Sequence, residues 1–177
     1  MSSLKELETE IARLRREIGV LNDIEAIKQL KAKYFRCVDS KLWDDLADCF
    51  TEDATTSYSG GRFKYQGREA IMKFLKDGLG GMITMHQGHH PEIEITSETT
   101  AVGTWSLEDY VITPINTGQQ CAAFYHDEYV RVEGNWKIRF TGYDFLFRQI
   151  WDRNETRSLK ITHRMQEPPA SRNEVPA

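Results

Sequence analysis

The feature that most constrains this chain is a change of hydrophobic period near Ile83. Before it, apolar residues recur every three or four positions, as on one face of a helix. After it they alternate, as on one face of a strand. Helices first and a long sheet second predict an α+β domain in which the helices cover one face of an antiparallel sheet. With 177 residues and 40% hydrophobic content, the chain is long enough for one such core and short of two.

Leu4, Leu7, Ile11, Leu14, Ile18 and Leu21 alternate spacings of three and four, which predicts an amphipathic arm over residues 1–21. Such an arm either lies on its own domain or forms a short coiled coil between subunits. Asn22 or Asp23 is placed to cap a second helix through Ile24, Ile27, Leu30 and Tyr34 towards Val38. Asp39-Ser40 breaks it before a third helix carrying Leu42, Leu46 and Phe50. A strand around Thr55 to Ser59 turns at Gly60-Gly61, and a further helix runs from Gly67 to Gly78. Four strands follow: Ile83 to Ile95, Ala101 to Ile112, Cys121 to Val132 and Asn135 to Phe147, the last two joined by a turn at Gly134-Asn135. The main domain is assigned to residues 22–165, and the proline-bearing tail 166–177 is expected to be disordered.

A net charge of −4 without a dense Lys/Arg block argues against a nucleic-acid surface. No apolar run approaches the roughly 20 residues of a spanning helix, so no membrane partner is expected and a cytoplasmic location is. Cys37, Cys49 and Cys121 have no CxxC spacing and read as small core residues in a reducing compartment.

Several polar residues fall where apolar ones are expected. Asp109 shares the odd-numbered face of its strand with Trp105 and Leu107, where an unpaired carboxylate would cost several kcal/mol. It is either a satisfied core Asp or one held for solvent or a ligand. Met85-His86-Gln87-Gly88-His89-His90-Pro91 opens the sheet with three histidines in five positions. One of them could serve as a base near neutral pH, whereas three clustered histidines without cysteine are a weak metal signal. Asp39 reads as a turn or capping residue or, with Tyr34 about 140° round the helix, as one edge of a cavity. Tyr58 is a packing aromatic or an inward phenol.

Asp23-Ile24-Glu25-Ala26-Ile27-Lys28 and Lys33-Tyr34-Phe35-Arg36-Cys37-Val38-Asp39 resemble the bile-acid 7α-dehydratases, as do Met85-His86-Gln87-Gly88-His89 and Trp105-Ser106-Leu107-Glu108-Asp109. Those enzymes belong to the SnoaL-like group of the NTF2-like fold, together with scytalone dehydratase. The resemblance implies a cone, in which a curved antiparallel or mixed sheet is wrapped by N-terminal helices around a deep apolar pocket. It also implies catalytic roles for His86, Asp39, Tyr34 and Asp109, and substrate contacts from Tyr58, Trp105 and Phe145. Phe145 stands where the family carries an Arg, and neither Arg139 nor Arg148 occupies that matching site.

The activity so implied is loss of water from a steroid-like, largely apolar substrate by a hydro-lyase that needs no cofactor and no metal, assembled as a homotrimer. Related carbon-acid chemistry, such as polyketide cyclisation or dehydrohalogenation, and a non-catalytic binding module of the same fold are the competing readings.

Overall fold

The computed structural model describes residues 3–155 together with 159 and 161; the end of the 22–165 domain and the 166–177 tail lie outside the described residues. Helix α1 (Leu4–Ser40) is a single element of 37 residues, not two helices parted at Asn22. Asp23 does not cap: its carboxylate accepts from the Trp136 indole N–H at 3.1 Å and from the Arg131 guanidinium, so tertiary donors take the oxygen that a cap would have used. The helix stops at Lys41, whose left-handed backbone (φ 60°) donates its N–H to the carbonyls of Cys37 and Val38.

Helix α2 (Trp43–Ala47) is only five residues long, and Phe50 opens strand β1 (Phe50–Tyr58) instead of extending a third helix. Strand β2 (Phe63–Gln66), too short to signal itself by alternation, pairs with β1 across the Gly60-Gly61 turn. Helix α3 (Arg68–Leu79) runs through Gly78 to Gly80. Strands β3 (Ile83–Ile95), β4 (Thr100–Ile112), β5 (Thr117–Val132) and β6 (Asn135–Asp152) form an antiparallel meander. Val132 pairs with Asn135, so the tight turn is Glu133-Gly134 (φ 50° and 82°), one residue earlier than the Gly134-Asn135 expectation.

The six strands lie in the order β2-β1-β6-β5-β4-β3. β1 runs parallel to β6, which makes the sheet mixed. Register shifts between Ala122 and Ala123, and between Glu128 and Tyr129, bend β6 round β5 and curl the sheet. The second half of α1 fills the hollow, burying Ile27, Lys31, Tyr34, Phe35, Cys37 and Val38. Its first half does not lie on the domain: every residue from Ser3 to Ile18 is exposed. Among the described residues, no helix is long and apolar enough to cross a membrane.

One charged pair is sealed into the core. Lys31 Nζ stands 2.7 Å from Asp127 Oδ2, both side chains 0% exposed, and 3.7 Å above the Tyr125 ring centre. Burial pulls the Lys31 pKa down, against the opposing pull of Asp127. Tyr129 donates to the same carboxylate at 2.6 Å and accepts from the Trp105 indole at 3.0 Å. Removing one member of such a pair leaves the other charged, buried and without its counter-charge. Lys31→Met is therefore expected to cost about 3–5 kcal/mol of stability in a urea titration; a loss no larger than that of a surface substitution would show that the pair is not sealed.

Candidate active site

The site begins with a contact between α1 and β3. A Cβ on Gly88 would stand 2.4 Å from Phe35 Cε2, so only glycine lets the Phe35 ring close on the strand. That approach carries Asp39, one turn further along α1, to the free edge of β3, the last strand of the sheet. The backbone N–H of His86 points out of that edge and donates to Asp39 Oδ2 at 2.8 Å. His86 Nδ1 lies 2.6 Å from Asp39 Oδ1, which also accepts from the Thr84 hydroxyl at 2.8 Å. Lys41 Nζ in turn donates to Thr84 Oγ1 at 2.9 Å. A carboxylate at a helix C-terminus is opposed by the helix dipole, and these donors supply the compensation.

With Nδ1 donating to Asp39, the imidazole keeps the tautomer whose Nε2 carries a lone pair. The ring lies nearly parallel to Phe35, at 10° and 6.3 Å between centres, and only 10% of the side chain is exposed. It forms part of the wall of a cavity of about 320 Å³. His89 and His90 are both exposed and do not line this cavity, so burial distinguishes His86 among the three. The β3 register breaks between His89 and Glu92, where Pro91 interrupts the ladder.

Asp109 is the direct cross-strand partner of His86, which puts both side chains on the cavity face. Its Oδ1 is buried without a hydrogen-bond partner among the described residues. Opposite stand Tyr34 and Tyr58, their hydroxyls 3.5 Å apart, with Tyr125 and Tyr143 beside them. Most of the remaining wall is apolar, from Val38, Phe63, Phe74, Leu75, Met82 and Val111 to Phe145, with Ser59, Thr113, Gln119 and Arg148 as its further polar members. A largely apolar cavity of this size with a few convergent polar groups is the usual form of a small-molecule site.

Trp105 departs from its expected role. It is buried with its indole N–H committed to Tyr129, and it does not line the cavity. Arg148 departs in the other direction. Simple alternation from Tyr143 and Phe145 turns it outwards, but the bulge opposite Ala122 and Ala123 inserts one residue into β6 and pairs Arg148 with the inward-facing Cys121. The guanidinium thus reaches the cavity wall, held by Gln119 Oε1 at 2.8 Å from Nε. Arg139 instead pairs with Glu128, both substantially exposed. Thr84 and Lys41 also escaped the sequence reading, although Thr84 stands two residues before His86 and so shares its face of the strand.

A helix-filled, curved six-stranded mixed sheet closing on an apolar pocket is an NTF2-like cone. A model of the SnoaL-like domain matches residues 19–141, and the chain belongs to the SnoaL-like domain family. Its fold is similar to a type 2 hexachlorocyclohexane dehydrochlorinase, with 23% identity and a TM-score of 0.70 over 76% of this chain and 93% of that one. A type 3 dehydrochlorinase from Novosphingobium barchaimii gives 21% and 0.69 over 76% and 94%. A protein provisionally named a scytalone dehydratase, from Novosphingobium aromaticivorans, is 25% identical with a TM-score of 0.69 over 87% and 97%.

Burial raises the pKa of Tyr34, Tyr58 and Tyr125 well above the ordinary phenol value, and Tyr143 is raised for the same reason. Neutral phenols are hydrogen-bond donors, so the wall facing His86 presents protons and not negative charge. A folded state that holds these protons after the unfolded chain has lost them loses stability as pH rises. Stability is expected to be unaffected by these groups below about pH 10 and to fall above it. Tyrosinate absorbance should then appear together with loss of far-ultraviolet dichroism. Complete tyrosine ionisation in a still-folded protein would show that the phenols are not sealed.

Proposed function

We propose that this protein is a cofactor-independent hydro-lyase acting on a hydroxysteroid-like ketone, a 7α-hydroxy-3-oxo-4-ene steroid of bile-acid type. The observation that carries the proposal is the His86–Asp39 pair, with Nδ1 held by the carboxylate and the ring set in the wall of an open apolar cavity. That an open cavity of about 320 Å³ remains between α1 and the sheet favours an enzyme over a binding or assembly module of the same fold. The resemblance to bile-acid 7α-dehydratases supplies the substrate class.

In such a substrate the C6 proton is acidified through the conjugated enone. Nε2 of His86 takes that proton, and Asp39 stabilises the imidazolium that results. Charge moves to the C3 oxygen, where the neutral hydroxyls of Tyr34 and Tyr58 donate to the developing dienolate. The electron pair returns to form the C6–C7 double bond as the C7–O bond breaks. The proton on His86 passes to the departing hydroxide, which leaves as water. Asp109 orients the 7-hydroxyl by accepting its O–H. The product is the extended dienone, and His86 ends neutral, as it began. Arg148 offers a cation to an acidic substituent at the far end of the ligand, in place of the family Arg that Phe145 displaces.

Incubation with 7α-hydroxy-3-oxo-4-ene steroids should produce the dienone chromophore, followed by ultraviolet absorbance. His86→Ala should lower turnover by about 10²–10⁴-fold with the fold intact; unchanged turnover would eliminate His86 as the base. Arg148→Gln should raise KM for a substrate with a free carboxylate side chain more than for its neutral conjugate, with little change in kcat. An equal effect on both would remove Arg148 from substrate recognition.

A further inference from the structure

The exposed half of α1 carries a pattern that its own domain leaves unused. From Leu4 to Leu21 the helix projects as a rod of about 27 Å. Its apolar residues Leu4, Leu7, Ile11, Leu14, Ile18 and Leu21 are between 42% and 74% exposed. They follow a strict seven-residue repeat, with Leu4, Ile11 and Ile18 at one seam position and Leu7, Leu14 and Leu21 at the other. We propose that this arm pairs with the arm of a second copy of the chain as a parallel, in-register, two-stranded coiled coil.

Three observations select that occupant. β-Branched isoleucine at two of the three first seam positions, Ile11 and Ile18, with leucine throughout the second, is the combination that favours two parallel strands. Of the flanking positions, Glu10 and Arg15 are spaced so that, in a parallel pair, each Glu10 faces Arg15 of the second copy, with opposite charges on both sides of the seam. An antiparallel pair would instead bring Glu10 against Glu17. The seam also ends where it must. Its next two positions are Glu25 and Lys28, both exposed and close to each other on one helix, while the residues that bury α1 in its own domain begin at Ile27. That buried face lies roughly 160° round the helix from the seam, so each domain sits on the far side of its helix and leaves the seam open.

The arm spans under three heptads, short for an isolated coiled coil, because helix nucleation is costly. Here the second half of α1 is already folded on the domain and supplies the nucleus. At the other end Ser3 and Glu6 close a capping box, with Ser3 N–H donating to Glu6 at 2.8 Å and Glu6 N–H to Ser3 Oγ at 3.3 Å. The helix is thus secured at both ends of the seam.

The test is light scattering of the whole protein after size exclusion, compared with the double variant Leu14→Asp/Ile18→Asp. Both substitutions lie on a stretch that touches nothing in the domain, and far-ultraviolet dichroism confirms that the variant folds. The unsubstituted protein is expected to have twice the mass of the variant, whether the variant's domains stay single or keep the threefold assembly that the resemblance implies. Equal masses overturn the pairing, and a threefold ratio overturns its two-stranded form. Orientation is read from Leu14→Cys: a parallel in-register seam sets Cys against Cys, and mild oxidation yields a disulfide-linked dimer. The native cysteines are buried and should give none. Failure of Leu14→Cys to cross-link overturns the parallel register.

Discussion

The site depends on how closely α1 can approach the edge of β3. Gly88 removes the one Cβ that would hold Phe35 away, and the approach brings Asp39 within reach of the strand's unpaired backbone N–H. The carboxylate then receives three donors from two residues of β3, His86 and Thr84. One interaction therefore covers an exposed strand edge and sets the tautomer of an imidazole. Each of these alone would be ordinary, and together they fix a ring nitrogen in the wall of a cavity.

Curvature supplies the rest. Each bulge along β6 both bends the sheet around α1 and reverses which residues face inward, so the device that makes the hollow also chooses its lining. Arg148 enters the cavity by this route and Leu146 is left 63% exposed. The Lys31–Asp127 pair lies deeper, under the tyrosines, and ties α1 to β5 below the site. The phenols above it remain protonated because they are buried, which suits the donor role proposed for them.

The two halves of α1 obey different rules. Beyond Asp23 its buried face is irregular and aromatic, shaped by the concave sheet. Before Leu21 its seam keeps a strict heptad, which serves contact between helices better than contact with a sheet. A single helix thus joins the His86–Asp39 pair at its C-terminal end to an exposed apolar seam at its N-terminal end.

Much of this was legible in the residues themselves. The period change at Ile83 is a local property of the chain, because side chains on a strand alternate and those on a helix do not, and it placed the meander with few errors at the strand ends. The continuity of α1 was not legible, since Asn22 and Asp23 are good caps until Arg131 and Trp136 claim Asp23 from more than a hundred residues away. His86, Asp39, Tyr34, Asp109 and Tyr58 could be named from their types, spacing and family likeness, but not brought together. Their meeting rests on long-range contacts and on register. Trp105 and Arg148 show where alternation stops being a guide. A buried donor takes the partner nearest to it, and one inserted residue turns every later side chain to the other face of the sheet. The sequence by itself determined where helices give way to the meander and which polar side chains were candidates for a site, because both follow from local spacing and composition. Only the tertiary structure decided which of those side chains share a cavity, because that depends on bulges, strand edges and one close approach at Gly88.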